Sequence, residues 1–252
     1  MTVPTFAARR KAWSSPPVDD IGYIPSEELL AMDDEAFDAL IQQAVRNRYS
    51  GWRNWREHWT NLLTQWDTTQ GKRILDYGCG IGLEGLILAK RNEVMLADIS
   101  EANLMVAGRA FMVNGHALPE THLISEKPPF LKPAPADLDI ILCLGVLHHI
   151  PKPEPVVEAM ASWLKPGGEL RLMVYSREAF VIATGNEPRR EQPVEKSPFF
   201  ETYWQTWDAI GGYADWYDKQ KLIVRFGEWF AVKECRPVTA NGAYLGAVLV
   251  KR

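Results

Sequence analysis

Cysteine is scarce in this 252-residue sequence, and long hydrophobic runs are missing. The three cysteines, Cys79, Cys143 and Cys235, are odd in number and far apart. They fit neither the disulfide framework of a small secreted protein nor the paired C-x-x-C spacing of a zinc site. No apolar run approaches the roughly 18 residues that a transmembrane helix needs, and the first residues show no export signal. We therefore expect a cytoplasmic protein with no membrane segment and no metal site.

An excess of positive charge is also missing. The formal net charge is −4 at pH 7, whereas nucleic-acid affinity depends largely on cationic side chains that displace counterions from phosphates. The composition, 46% hydrophobic and 24% charged, is that of an ordinary globular protein and excludes a disordered or fibrous chain. A small-molecule partner is favoured over nucleic acid, and the sequence does not determine the oligomeric state.

Residues 72–175 alternate short β-type runs with longer helical patterns, which predicts right-handed βαβ units and a parallel sheet. The five strands predicted in this part are residues 73–76, 93–99, 121–125, 138–144 and 169–175. Two more strands, 229–236 and 243–250, are joined by a short loop with Asn241-Gly242, so we expect an antiparallel hairpin. The predicted fold class is α/β, with a doubly wound, Rossmann-like, seven-stranded mixed sheet.

The segments on either side of this core differ from it in character. Residues 1–66 are predicted to be an N-terminal extension and helical cap, loose over 1–25 with its four prolines and helical over 26–66. Residues 67–252 are predicted to form the core, with an aromatic lid inserted at about 177–218. Prolines and glycines interrupt any regular pattern in that insert.

A glycine-rich loop follows the first predicted strand, with the sequence Asp76-Tyr77-Gly78-Cys79-Gly80-Ile81-Gly82. Glycines here let the backbone approach a ligand closely and leave helix N-terminal amides free to face it. Gly80, Gly82 and Gly85 also meet the dinucleotide-binding spacing, so an NAD(P)-dependent oxidoreductase is an alternative. Asp76, however, would repel a pyrophosphate, which favours a ligand with a positive centre.

This loop resembles the first motif of the class I S-adenosylmethionine-dependent methyltransferases, an acidic residue followed by x-Gly-x-Gly-x-Gly. The resemblance spans residues 72–175. It includes Asp98 at the end of the second strand, residues 147–150 after the fourth and residues 164–168 before the fifth. The closing hairpin agrees with it, because that family ends with an antiparallel strand inserted beside the fifth. The resemblance implies S-adenosylmethionine as cofactor and methyl transfer as the reaction.

Carried over residue by residue, the resemblance implies a set of cofactor contacts. Gly78 and Gly80 match the backbone positions that lie against the methionine half and the ribose. Asp98 matches the acid that accepts both ribose hydroxyls, although a helix cap is the alternative role for it. Ile99 matches the apolar residue that packs on the adenine, and Leu144 matches the position whose main-chain carbonyl receives the cofactor ammonium.

The third motif departs from the family pattern. The family usually has an acidic residue after the third strand to bind the adenine amino group, and Glu126 is our candidate for it in this sequence. In the helical cap, Tyr49 and Arg53 are predicted to contact the methionine end of the cofactor. Four tryptophans at helical spacing, Trp52, Trp55, Trp59 and Trp66, are predicted to pack the cap over the cleft rather than to line a pocket.

Two histidines are the candidate catalytic residues. The methyl of a sulfonium is already activated, so the enzyme mainly positions the acceptor, but a hydroxyl acceptor also needs a base. His148 and His149 follow the fourth strand at the carboxyl edge of the sheet, where such a base would be needed. The alternative is that both are structural.

The acceptor is predicted only by class. The Asn/Asp-Pro-Pro-Tyr motif of many amino-group methyltransferases does not follow the fourth strand, so we expect a small polar acceptor and slightly favour O-methylation. One alternative is methylation of a tRNA modification or of a glycan end group. Another is that the protein has lost catalysis and serves as a binding subunit. The insert is too aromatic to be exposed, and four of its residues are candidate substrate contacts: Trp204, Tyr213, Trp216 and Tyr217.

Overall fold

A computed structural model describes residues 3–14, 21–50, 62–65, 67–207 and 210–252, and of residues 49 and 50 it describes only the backbone. The strands in these ranges are β1 (Arg73–Tyr77), β2 (Glu93–Asp98), β3 (Glu120–Leu123), β4 (Leu138–Leu144), β5 (Leu164–Tyr175), β6 (Phe230–Pro237) and β7 (Tyr244–Lys251). The helices are α1 (Phe6–Trp13), α2 (Ser26–Ala31), α3 (Asp34–Ser50), α4 (Leu83–Leu88), α5 (Glu101–Val113), α6 (Glu154–Trp163), α7 (Arg177–Thr184), α8 (Phe200–Thr206) and α9 (Lys219–Phe226). Short 3-10 turns lie at Leu147–His149 and Val194–Lys196.

The strands form one seven-stranded sheet in the order β3-β2-β1-β4-β5-β7-β6. The first five strands are parallel, and β7 lies antiparallel between β5 and β6. The predicted fold class, including the inserted antiparallel strand, is therefore confirmed. Chain order reverses between β1 and β4, so the loops that follow these two strands diverge and leave a crevice at their carboxyl ends.

The sheet is covered on both faces, as its apolar central strands require. Along β4, Ile141 and Cys143 belong to the hydrophobic cluster that includes α6 and α9, while Ile140 and Leu142 belong to the cluster that includes α3, α4 and α5. Side chains alternate between faces along a strand, so a continuous apolar run fits a strand buried on both sides. Among the described helices, none combines the length and apolar character needed to cross a membrane.

The N-terminal segment differs from its prediction. Residues 1–25 are predicted to be loose, but α1 begins at Phe6, and the hydroxyl of Thr5 caps it by accepting a hydrogen bond from the backbone N–H of Ala8. The residues between Phe6 and Trp13 are mostly good helix formers, and this local signal is masked by the prolines on either side. The prediction of a loose segment is therefore wrong over α1.

The insert after β5 also contains more regular structure than its composition suggests. It contributes α7 and α8 to a hydrophobic cluster that includes Phe180, Tyr203, Tyr213 and Trp216, together with Tyr175 at the end of β5. Its chain returns to the sheet through a parallel bridge between Ser176 and Tyr217. The aromatic residues are thus buried mainly against one another.

A buried ion network anchors the end of the insert to the core. Asp215, almost fully buried, pairs with Lys221 at 2.7 Å and with Arg225 at 2.9 Å, and Arg225 also pairs with Glu154 of α6. The backbone N–H of Asp215 donates to the carbonyl of His148 at 2.8 Å. The network therefore joins the insert, α6 and α9 beside the two histidines.

Replacing Asp215 by alanine is expected to lower the free energy of unfolding by about 3–5 kcal/mol, because two cations lose their buried counterion. Urea unfolding at neutral pH measures this change. Glu191→Ala, at an exposed position of the same insert, is the matched control and is expected to change stability by less than about 0.5 kcal/mol. Equal stability of the two variants would contradict the assignment of a stabilising network.

Candidate ligand-binding cleft

A cavity of about 900 Å³ lies at the carboxyl ends of the central strands. This volume is within the range of roughly 300–1,000 Å³ that small-molecule and cofactor sites occupy. Seven of the predicted cofactor contacts line it: Asp76, Gly78, Gly80, Asp98, Ile99, Glu126 and Leu144. Both candidate catalytic histidines line it as well. The cavity occupies the crevice that the reversal of strand order creates.

The loop between β1 and α4 exposes bare backbone to this cavity. Gly78 and Gly80 have φ angles of 77° and 54°, in the left-handed region that glycine adopts without strain. A Cβ atom at Gly78 would clash with the side chain of Val146, whereas one at Gly80 would meet no atom within 4 Å. Glycine is thus required at 78 by both space and backbone angle, and at 80 by backbone angle alone.

Asp98, at the end of β2, holds this loop in place. One carboxylate oxygen accepts the backbone N–H of Gly80 at 2.9 Å. The other accepts the backbone N–H of Ser100 at 2.8 Å and the side-chain amide of Asn103 at 3.0 Å. Burial raises the pKa of Asp98 to about 6, although these hydrogen bonds oppose the shift. A carboxylate has about four acceptor positions, so Asp98 retains capacity for a ligand that donates hydrogen bonds.

Asp76 is the second buried carboxyl group at the cavity wall. Its Oδ2 is buried and has no hydrogen-bond partner. Burial, reinforced by the negative charge of Glu84, raises the pKa of Asp76 well above its ordinary value. Glu84 itself forms a buried ion pair with Arg48 of α3 at 2.6 Å. An unpaired buried oxygen is costly, so Asp76 matches a ligand that brings a donor or a positive charge.

The two histidines are held as neutral imidazoles. The Nδ1 of His149 lies 2.9 Å from the carbonyl oxygen of Tyr213, and since a carbonyl only accepts, Nδ1 carries the proton and Nε2 carries a lone pair. His148 is the opposite tautomer, because its Nδ1 accepts the backbone N–H of Tyr175 at 3.3 Å. Burial lowers the pKa of His149 to about 4 and that of His148 well below its ordinary value. His149 therefore lines the cavity as a weakly basic imidazole whose Nε2 carries the lone pair.

Helix α1 crosses the cavity, and this contribution is missing from the sequence-based prediction. Arg9 donates to the carbonyl of His149 and Arg10 to that of Ile124, both at 3.2 Å. The ring of Trp13 lies 4.8 Å from that of His149, and its carbonyl accepts the amide of Asn103. Asn103 therefore connects Asp98 to the N-terminal helix. Such contacts join residues that are 90 to 140 positions apart in the chain, beyond the reach of any local pattern.

The candidate substrate contacts in the insert lie elsewhere. The structure places none of Trp204, Tyr213, Trp216 and Tyr217 among the described residues that line the cavity. Trp216 and Tyr213 are in the core of the insert, and Tyr217 belongs to the main core beside Phe226. The physical reason is that large rings gain most from full burial, which the insert supplies internally. Trp207 is the aromatic residue of the insert that reaches the cavity.

Two predicted contacts are outside the described residues. The side chain of Tyr49 and the whole of Arg53 belong to this group, as do the four tryptophans of the cap stripe.

Both cysteines of the core are buried, and burial raises the pKa of Cys79 and of Cys143, so neither thiol is activated as a nucleophile.

Similarity to known proteins agrees with this geometry. Residues 75–170 match the family described as "Methyltransferase domain". The ubiquinone biosynthesis O-methyltransferase of Idiomarina loihiensis is 34% identical over 108 residues, which cover 42% of this chain and 44% of that protein. The enzyme of the same name from Dechloromonas aromatica is 36% identical over 109 residues, covering 42% and 46%. The chain spans about half the length of the curated relatives it matches.

Solved structures show the same fold. The magnesium protoporphyrin IX methyltransferase of Synechocystis PCC 6803 with bound SAH has a TM-score of 0.57 at 16% identity, covering 98% of this chain and 99% of that one. A SAM-dependent methyltransferase from Aquifex aeolicus has a TM-score of 0.52 at 15% identity, covering 88% and 100%. At such identities the likeness concerns the fold alone.

The tautomer and charge of His149 can be measured by ¹⁵N NMR of the imidazoles, with His149→Gln to assign the signals. We expect a protonated Nδ1, a bare Nε2 and a neutral ring down to about pH 4. Because the pKa is lower in the folded state than the ordinary 6.5, this histidine costs folded stability as pH falls from about 6.5 towards 4. Titration of the folded protein's His149 near pH 6.5 would refute the burial argument.

Proposed function

We propose that this protein transfers the methyl group of S-adenosylmethionine to an oxygen of a small polar organic acceptor. Its residues 75–170 form a class I S-adenosylmethionine-dependent methyltransferase domain. The observation that carries the proposal is the pair of buried carboxyl groups, Asp76 and Asp98, on either side of the glycine loop in one cavity. A sulfonium nucleoside with an amino-acid tail has both a cationic end and a diol, which these two groups complement.

The residues present fit this cofactor. Oδ2 of Asp98, which accepts one protein hydrogen bond, from Gly80, would accept a ribose hydroxyl at its remaining position. Asp76, with an orphaned buried oxygen, and the main-chain carbonyl of Leu144 would attract the ammonium end. Ile99 and Glu126 would contact the adenine. The bare backbone at Gly80 leaves room for a nucleoside to approach the loop.

The bound cofactor would supply an activated methyl group on a positively charged sulfur. The protein's own contribution is then to bind the acceptor in line, to exclude water and, for a hydroxyl acceptor, to take up a proton. His149 lines the cavity with a lone pair on Nε2, and the carbonyl of Tyr213 orients that ring by accepting its Nδ1–H. Helix α1 covers the same end of the cavity through its contacts with residues 124 and 149.

Several observations support a small acceptor and an oxygen atom as its methylated site. The two curated relatives described above are named O-methyltransferases, and a cavity of about 900 Å³ holds a cofactor and a small organic molecule together. The net charge of −4 disfavours nucleic acid.

We also propose that residues 1–66 act as a cap on a core of residues 67–252. The described cysteines are all free thiols, which supports the cytoplasm as its location.

Replacing Asp98 by asparagine is expected to weaken the binding of S-adenosylhomocysteine on the order of tenfold to a hundredfold, because the charged acceptor of the ribose hydroxyls is lost. Isothermal titration calorimetry measures the change. Asp137→Asn, at an exposed position in the loop before β4, is the control and should bind as the wild type does. Failure of wild-type protein to bind the nucleoside, or preferential binding of NADH, would favour the oxidoreductase alternative.

The affinity for S-adenosylhomocysteine should also depend on pH. The pKa of Asp98 is raised to about 6, so the acceptor is ionised at neutral pH and becomes protonated as pH falls through 6. We expect constant affinity above about pH 7 and a loss of up to tenfold per unit below about pH 6. Titrations at several pH values test this, and Asp98→Asn should lack that loss. The same slope in the variant would assign it to another group.

A further inference from the structure

Helix α1 brings one cationic side chain to the end of the cavity where His149 lies. Arg9 lines the cavity, and its Nη1 donates to the carbonyl of His149 at 3.2 Å. Its Nε is buried and has no hydrogen-bond partner. A guanidinium has five N–H donors in a planar fork that suits two oxygens at once. Arg9 therefore holds an unused donor, Nε, while its Nη1 contacts the backbone of His149.

The charges around Arg9 leave room for a ligand oxygen. Burial lowers the pKa of Arg9, while Glu126, from the loop after β3, and Tyr213, from the insert, act on it in the opposite direction. Arginine remains protonated regardless of such shifts. The Glu126 carboxylate acts through its charge from an exposed position, and among the described residues it accepts no hydrogen bond from Arg9. A half-buried guanidinium whose Nε is buried and unpaired is complementary to an anion.

The walls near Arg9 are flat and apolar. Aromatic side chains that line the cavity come from α1, from the end of β5, from the insert and from the start of β7: Phe6, Trp13, Tyr175, Trp207 and Tyr244. Ring systems pack well against such surfaces. The same cavity therefore combines a cation with a lining suited to a planar ring.

We propose that Arg9 binds an anionic oxygen of a ring-bearing acceptor, a carboxylate or a phenolate, and that the acceptor enters the cavity already ionised. This inference rests on the proposed function, because it names the acceptor class of that same site. The carboxylate and the phenolate both present an anionic oxygen on or beside an aromatic ring.

The reaction of such an acceptor balances without a base. The acceptor oxygen donates an electron pair to the methyl carbon while the carbon–sulfur bond breaks and its electron pair stays on sulfur. One negative and one positive charge are neutralised together, and no proton is released. This agrees with His149, which is neutral and weakly basic because its pKa is lowered to about 4. A neutral aliphatic hydroxyl would instead need a base, and His149 is a weak one.

Ring probes of known charge test the inference on wild-type protein saturated with S-adenosylhomocysteine. Benzoate is compared with benzamide for the carboxylate, and 4-nitrophenol above its pKa is compared with the same compound below it for the phenolate. Benzoate, ionised at both pH values, controls for the effect of pH on the protein. Calorimetry is expected to give at least tenfold tighter binding of an anionic form than of its neutral counterpart.

Three variants assign that preference to Arg9. In Arg9→Gln the preference for the anionic over the neutral probe should fall by about tenfold to a hundredfold. Arg9→Lys should keep part of that preference, and Lys11→Gln should keep all of it. Lys11 is exposed on the same helix, so its variant controls for a general loss of positive charge. All three should bind S-adenosylhomocysteine within about twofold of the wild type. The ratio of anion to neutral binding is a readout that simple loosening of α1 would not change.

The outcomes separate the two proposals. If wild-type protein does not bind S-adenosylhomocysteine, the proposed function itself fails. If it binds the nucleoside but shows no preference for either anionic probe, or if Arg9→Gln keeps the preference, the function stands and the role of Arg9 is overturned. The probe that shows the preference identifies the source of the anionic oxygen.

Discussion

The hydrogen bond from the Gly80 backbone to the Asp98 carboxylate is the interaction on which the cleft depends. It ties the loop after β1 to the end of β2, two neighbouring parallel strands whose carboxyl ends meet at one edge of the sheet. The same carboxylate binds Asn103, and Asn103 in turn binds the carbonyl of Trp13 and the hydroxyl of Ser26. One buried acid thus organises the glycine loop and also anchors the N-terminal helices above it.

Burial sets the electrostatic character of the cavity lining. The raised pKa of Asp76 and of Asp98 reflects the cost of holding a carboxylate away from water. Arg9 donates a hydrogen bond to the backbone of His149, and burial keeps both histidines neutral. A cationic cofactor with a diol suits the two acids, and the proposed anionic acceptor suits Arg9. Opposite charges on the two reactants would bring the reacting atoms together.

The aromatic insert shows what a strong compositional signal does and does not specify. Its rings have to be buried, and that much follows from their size and hydrophobicity. Whether they are buried against a ligand or against one another depends on where α7 and α8 pack, which no spacing along the chain specifies. In the structure Tyr203, Tyr213 and Trp216 cover one another, and the network of Asp215 holds their segment to the core. The insert still acts on the site, through the carbonyl of Tyr213 on His149.

The sequence by itself determined the sheet, the glycine loop and its two acids, because these depend on short-range patterns: strand periodicity, backbone angles open only to glycine, and carboxyl groups at strand ends. It also placed His148 and His149 at the correct edge, since parallel strands bring their carboxyl ends together. Only the tertiary structure decided that α1 crosses the cavity, that Arg9 lies beside His149, and which tautomer each histidine adopts. These features come from contacts between residues up to 140 positions apart, where packing and burial, rather than local preference, select the partner.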